Sequence, residues 1–199
     1  MRQASQRPTS GVDVQDVESE KYIELVWVDP SMSFKKTSSV ITISANLAET
    51  AANTFIQSEV DLSLSPLDNE IFVVLAVDVS PQPPEAIAGV DTNTACSVST
   101  TTRTSVGSIG SNNVLGAGES SIKAAGFVDG GVGFQHFSGE TPTALLDYIG
   151  VIATNNFFVA VKGANNLGAR SCNGRVWGYR ARADATTYAA LVQSEVLSA

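Results

Sequence analysis

Hydrophobic and polar residues alternate along much of the chain after Lys21, with the period of two that is typical of half-buried β-strands. The clearest example is the segment 56–64, where apolar residues occupy one face and polar residues the other. Its predicted inward face consists of Ile56, Val60, Leu62 and Leu64, and its outward face of Gln57, Glu59, Asp61 and Ser63. Shorter alternations predict strands at 22–28 and at 38–45, the second with Ile41, Ile43 and Ala45 inward.

The segment 71–79, IFVVLAVDV, differs because it is apolar at almost every position and rich in β-branched residues. Such a run predicts a central strand that is covered on both faces. The remaining pattern predicts strands at 92–105, 122–128, 132–138, 145–153, 157–163 and 174–182, and a loop at 107–118. Turn residues at 129–131 and at 154–156 predict two hairpins.

Helical patterns are few. The segment 184–196 begins with Asp184 as a candidate N-cap and places Tyr188, Leu191, Val192 and Glu195 on one face. Single helical turns are expected at 143–148 and at 47–53. About ten short strands with few helices are typical of an all-β sandwich or barrel. We therefore expect one β-domain at 21–199, preceded at 1–20 by an extended, flexible N-terminal arm that has too little apolar surface to fold alone.

The charge of the chain excludes some classes of partner. There are 20 acidic residues against 12 basic ones, a net charge of −8, whereas affinity for nucleic acid comes mainly from Lys and Arg. We expect no direct sequence-specific nucleic-acid binding. The first twenty residues lack the apolar core of a secretory signal, and the longest apolar run, at 71–77, is far shorter than the roughly 20 residues of a membrane span. We expect neither a signal peptide nor a transmembrane segment.

The candidate chemical motifs do not predict an enzyme. The glycines at 107–110 and 116–118 lack the spacing of a phosphate-binding loop or a dinucleotide fingerprint. The only histidine, His136, has no accompanying nucleophile elbow. Glu59 and Asp61 share one exposed strand face, where solvation is the expected role of acidic side chains. We expect no catalytic activity, no small-molecule substrate, no cofactor and no metal site.

Cys96 and Cys172 are the only cysteines. They lack the spacing of a zinc site and are too few for a disulfide framework. The sequence is compatible with two small buried thiols or with a single bridge between them.

The last predicted strand carries the most distinctive side chains. Alternation places Arg175, Trp177 and Tyr179 on one face and Arg180 and Arg182 on the other. A ladder of these residue types is able to stack single-stranded bases, but Arg, Trp and Tyr are also the residues that dominate protein interfaces. In an acidic chain we favour a protein interface or intramolecular packing, and these five residues form the predicted interface.

The segment 173–199, in which this strand runs into a short amphipathic helix, resembles virion structural proteins, as do IFVVL at 71–75 and ATNNFFV at 153–159. The family that the chain resembles is the single-jelly-roll major capsid proteins of tailless icosahedral viruses of marine or archaeal type. The resemblance implies an antiparallel β-sandwich of jelly-roll type with about 8–10 strands and a short C-terminal helix. It also implies a subunit that self-assembles into capsomers in the host cytoplasm and is located in the virion.

The partners implied by this resemblance are copies of the chain, other virion proteins and an internal membrane. The chain departs from many small jelly-roll capsid proteins of RNA viruses because its arm is not basic, so the resemblance implies a double-stranded DNA particle. The alternative is a jelly-roll carbohydrate- or receptor-binding module, such as a spike or fibre domain of a virion or cell surface. That module would expose a groove with an aromatic platform, for which Trp27 and Trp177 are the candidates.

Overall fold

Two antiparallel β-sheets pack face to face in the computed structural model, which describes residues 34–124, 126, 134–139 and 146–197. The strands are β1 Lys35–Lys36, β2 Ile41–Ala48, β3 Ile56–Asp61, β4 Glu70–Pro81, β5 Thr92–Ser99, β6 Val114–Lys123, β7 Phe134–Gly139, β8 Gly150–Ile152, β9 Asn156–Ala164 and β10 Ser171–Arg182. A 3-10 turn occupies Pro66–Asp68, and the helix α1 spans Ala185–Leu197. The all-β sandwich with one short C-terminal helix confirms the predicted fold class.

The order of the strands follows a nested pattern. In sheet A, β4 lies between β8 and β10, and β1 and β2 follow each other along the far side of β10. In sheet B the order is β3, β9, β5, β6 and β7. Strands from the first half of the chain pair with strands from the second half in nested order: β2 with β10, β3 with β9, β4 with β8, and β5 with β6. A long antiparallel double ribbon wrapped into two sheets is the jelly-roll arrangement.

The strand β4 confirms the prediction of a central strand with two buried faces over its first half. Phe72 and Val74 lie in the core between the sheets, whereas Ile71 and Val73 lie in a second apolar cluster on the outer side of sheet A. The pairing with β10 then skips Leu75, as in a β-bulge. After this bulge the inward positions are Val77 and Val79, and the outward residues Asp78 and Ser80 are exposed.

Helix α1 covers part of the outer face of sheet A. It begins as predicted, because the Asp184 carboxylate accepts hydrogen bonds from the backbone N–H groups of Thr186 and Thr187, both at 3.0 Å. The predicted inward face is confirmed. Tyr188, Leu191 and Val192 pack against the second apolar cluster, and Glu195 is buried. In the described part of the chain, no helix has the length and apolarity needed to cross a membrane.

Three of the predicted elements were wrong in type or in extent. The segment 47–53 does not form a helical turn, because β2 continues to Ala48 and its alternation buries Leu47 against the core. The predicted loop 107–118 ends early, because β6 starts at Val114. Gly116 lies on this strand opposite Val98, and a Cβ atom there would lie 2.8 Å from a methyl group of Val77. Conversely, the predicted strand 92–105 ends at Ser99.

The predicted hairpin at 154–156 was also wrong. The strand predicted at 145–153 is reduced to β8, which pairs with β4 in sheet A, while β9 pairs with β3 and β5 in sheet B. The chain therefore crosses from one sheet to the other at this point. The carboxylate of Glu195 fixes the crossing, because it accepts the backbone N–H groups of Ala153 at 3.2 Å and Thr154 at 2.9 Å.

Several predictions lie outside the described residues. They are the arm at 1–20, the strand at 22–28 with Trp27, and the turn at 129–131. The domain boundary at residue 21 therefore stays a prediction. The strand predicted at 122–128 was wrong in its bounds, because β6 ends at Lys123. The strands β6 and β7 pair antiparallel, from Lys123 opposite Phe134 to Gly118 opposite Gly139. Of the predicted turn at 143–148, the described residues 146–148 are not helical.

Candidate functional site

The predicted interface residues lie on β10, which is flanked by β1 and β2 on one side and by β4 on the other. Arg175, Trp177 and Tyr179 point to the outer face of sheet A, because the alternating positions Cys172 and Val176 lie in the core. The Arg175 guanidinium lies over the Trp177 ring, with its central carbon 5.7 Å from the ring centroid. Arg175 is exposed, and the Trp177 side chain is half-buried.

Tyr179 has a packing role in the fold. It lies against the second apolar cluster, to which Ile71 and Val73 of β4 belong. The Nζ atom of Lys36 covers the ring at 4.5 Å from its centroid. Burial raises the pKa of the Tyr179 hydroxyl, and the nearby Asp147 carboxylate raises it further. Tyr179 therefore packs, together with side chains of α1, on the apolar cluster at the outer side of sheet A.

Arg180 and Arg182 make contacts within the chain. The Arg180 guanidinium donates hydrogen bonds to the carbonyl oxygens of Leu62 at 2.7 Å and Ser63 at 3.1 Å, and it lies 3.3 Å from the Glu70 carboxylate. These contacts join β10 of sheet A to the chain that follows β3 of sheet B. Arg182 forms an ion pair with Asp68 at 3.1 Å, with about half of each side chain exposed.

A groove of about 440 Å³ crosses the outer face of sheet A next to Trp177. It spans β2, β10 and β4, and its lining includes the side chains of Ser44, Asn46, Asp78, Ser80, Asn173 and Arg175. Pairing brings these residues together in rows. Arg175 lies between Ser44 and Asp78, and Asn173 lies between Asn46 and Ser80. The Asn46 amide donates a hydrogen bond of 2.7 Å to the side-chain oxygen of Asn173.

The groove thus presents hydroxyls, amides, one guanidinium and one carboxylate above a flat backbone floor. Such a set offers both donors and acceptors and carries one charge of each sign. Sequence reasoning singled out Arg175 but missed Asn46, Asp78 and Asn173. Each of these residues alternates with apolar neighbours, so the sequence could have shown that each one faces outward. It could not show that they lie together, because this depends on the pairing of β2 with β10.

A second polar cluster ties three loops together at one end of the sandwich. Glu49 is 5% exposed, and its carboxylate accepts the backbone N–H groups of Gly163 at 2.6 Å and Arg170 at 2.8 Å. The Arg170 guanidinium forms an ion pair of 2.6 Å with Glu85. The backbone N–H of Leu167 and the charge of Arg170 lower the pKa of Glu85. We assign this cluster to the fold, because its polar groups satisfy one another.

The other residues considered for chemistry are spread over the molecule. His136 lies on β7 opposite Ser121 of β6. Glu59 is exposed and accepts a hydrogen bond from the amide of Asn156, while Asp61 accepts the backbone N–H of Ser63 at 2.6 Å. Within residues 34–124 and 146–197, no three acidic, histidine or cysteine side chains converge as ligands for a metal ion.

The outer face of sheet A therefore carries Arg175 and Trp177 of the predicted interface beside a polar groove that the fold assembles. Tyr179, Arg180 and Arg182 make contacts within the chain, and the interface itself stays a prediction. In comparisons with known proteins, no family model matches the chain, and no curated protein is significantly similar to it.

Proposed function

We propose that this chain is a structural subunit of a virion shell that assembles with copies of itself into capsomers. The observation that carries the proposal is the nested pairing of β2 with β10, β3 with β9, β4 with β8, and β5 with β6. This jelly-roll arrangement builds viral capsids as well as lectin domains. A fold alone serves several functions, so the proposal also rests on the resemblance to capsid proteins and on the surface of the molecule.

The loops of the sandwich expose large apolar side chains. Leu67, between β3 and β4, is 98% exposed, Leu167, between β9 and β10, is 82% exposed, and Ile109, between β5 and β6, is 78% exposed. Contacts between neighbouring subunits would remove these side chains from water, which is favourable. Charged residues make up 16% of the chain, below the roughly 25% of an average soluble protein, and this lowers the desolvation cost of large contacts.

Light scattering and negative-stain microscopy of the full-length protein test this proposal. We expect closed shells or uniform capsomers. The double variant Leu67→Asp with Leu167→Asp should assemble less while its circular dichroism spectrum stays unchanged. The double variant Thr104→Asp with Ser105→Asp is the matched control, because it places the same two charges on exposed loop residues. A wild-type protein that stays monomeric at every concentration tested would contradict the proposal.

A second candidate function, favoured by the groove on sheet A, is the binding of a neutral oligosaccharide. Sugar hydroxyls donate and accept hydrogen bonds. The amides of Asn46 and Asn173 that line the groove do the same, and the Asp78 carboxylate accepts them. Trp177 lies beside the groove with an apolar ring and a polar N–H, which suits the apolar and polar edges of a sugar ring. Because the groove contains one guanidinium and one carboxylate, a neutral ligand fits it better than a polyanion.

A glycan array and calorimetry on the full-length protein test this second candidate. Asn173→Ala and Asp78→Ala should weaken binding to the oligosaccharides that the wild type retains, because both side chains face the groove. Lys162→Ala is the control, since Lys162 is exposed on β9 of the other sheet. Equal binding by all three variants would place any recognition elsewhere on the surface.

A further inference from the structure

The two cysteines lie on different sheets of the sandwich. Cys96 belongs to β5 in sheet B, and Cys172 belongs to β10 in sheet A. Both side chains are 0% exposed and lie in the core between the sheets. Both are free thiols in this structure. The fold thus brings together two residues that are about 75 positions apart in the chain.

The sheets approach each other closely at this point. Two residues along β10 from Cys172, a Cβ atom built on Gly174 would lie 4.0 Å from the Cγ2 atom of Val98 on β5. Val98 lies two residues along β5 from Cys96. Because residues two apart on a strand share one face, Cys96 and Cys172 both point into the space between the sheets, as Val98 and Gly174 do. Both thiols belong to the same apolar cluster between the sheets. The Cys172 sulfur also lies 3.6 Å from the carbonyl oxygen of Asn173.

We propose that Cys96 and Cys172 form a disulfide bond between the two sheets when the chain folds in the presence of a disulfide oxidant. One cysteine thiolate attacks a sulfur of a small disulfide such as oxidised glutathione, which forms a mixed disulfide and releases one reduced glutathione. The second cysteine then displaces the other glutathione and forms the bond between the strands. Two protein thiols are thus oxidised, and one glutathione disulfide is reduced to two glutathione thiols. The two protons that the cysteines lose are taken up by these glutathione thiols.

The timing of this reaction follows from the burial of both sulfur atoms. Only the thiolate is a nucleophile, and the neighbouring Cys172 thiol together with burial raises the pKa of Cys96 far above its usual value. The native reduced protein should therefore react slowly, whereas the unfolded chain exposes both thiols. The bond forms during folding, and once formed it is shielded from reductants by the same burial.

Oxidative refolding tests the proposal on the full-length wild-type chain. The protein is unfolded with reductant and refolded with oxidised and reduced glutathione. It is then unfolded in guanidinium chloride that contains N-ethylmaleimide, so that every remaining thiol reacts, and is analysed by mass spectrometry. We expect a monomer that has lost two hydrogens and carries no maleimide, with a peptide that links Cys96 to Cys172. The oxidised protein should melt roughly 10 °C above the reduced protein, because the bond closes a loop of about 75 residues.

Cys172→Ala is the control variant, since alanine is small enough for the buried position. It should take up one maleimide at Cys96 and should melt at the same temperature under both conditions. The proposal is overturned if the refolded wild type takes up two maleimides, if the bond forms between chains, or if oxidation leaves the melting temperature unchanged or lowers it. The wild-type comparison decides the matter even if the variant does not fold. Both proposed functions stand independently of this result.

Discussion

Replacing Gly178 by alanine should destabilise the protein, whereas replacing Gly174 by alanine should not. Both glycines lie on β10 and face the core, four residues apart. A Cβ atom at position 178 would lie 2.4 Å from the carbonyl oxygen of Val73 and 2.5 Å from the ring of Phe72. At position 174 the nearest atom would be a methyl group of Val159 at 3.8 Å, an ordinary van der Waals contact.

The magnitude follows from what has to move. At position 178 the obstacle includes the backbone of β4, which pairs with β10 along its whole length, so a side-chain rotation cannot relieve it. Overpacking of this kind costs about 1–3 kcal/mol, and we expect about 3 kcal/mol because backbone is involved. Gly174→Ala instead restricts the unfolded chain and should raise the free energy of unfolding by about 0.4–1 kcal/mol.

Urea unfolding, followed by circular dichroism and tryptophan fluorescence, measures both variants. The difference of roughly 3–4 kcal/mol between them is a large part of the 5–15 kcal/mol that stabilises a typical domain. At the melting temperature a loss of about 3 kcal/mol corresponds to roughly 6–12 °C for a chain of this size. Equal denaturation midpoints for the two variants would show that the close approach of β4 and β10 is not what requires glycine at position 178.

Three further predictions concern polar residues. Glu49→Ala should lower the free energy of unfolding by about 2–4 kcal/mol in a urea titration, because the buried N–H groups of Gly163 and Arg170 lose their acceptor. Burial raises the pKa of Glu195 above its ordinary value of 4.5, so its contribution to stability is complete below that value and is lost as the pH rises through the raised pKa. The free energy of unfolding of the wild type minus that of Glu195→Gln should thus be greater at about pH 4 than at about pH 7. The same difference at both pH values would refute the raised pKa of Glu195. Asp184→Ala should speed amide hydrogen exchange in the first turn of α1 and leave the exchange of the core strands unchanged.

The sequence was sufficient to predict the strands whose environment is uniform along their length. The alternation at 56–64 identified β3, and the apolar run at 71–79 identified β4 as a central strand. The pattern at 174–182 identified most of β10, and Asp184 marked the start of the helix. In each case a local pattern reflects one face of one element, which is the information that a sequence carries directly.

The remaining features depend on contacts between distant segments. The residues after β8 look like a hairpin, but the Glu195 carboxylate binds the backbone there and the chain crosses to sheet B. Nothing near position 154 in the sequence signals a partner about 40 residues away. The neighbouring positions of Cys96 and Cys172, and the assembly of the groove from β2, β4 and β10, likewise follow from strand order, which local patterns do not determine.

The bulge at Leu75 divides the outward side of β4 between a packed part and a part that lines the groove. Before the bulge the outward residues of β4 are Ile71 and Val73, which α1 covers, and after it they are Asp78 and Ser80, which line the groove. The outer face is thus divided along the strands into an apolar half, covered by the helix, and a polar half. Since the groove rests on paired strands with a packed core beneath them, its side chains are held by a rigid support. Changes at Asp78 should therefore alter recognition with little effect on stability, whereas changes at Ile71 should do the reverse.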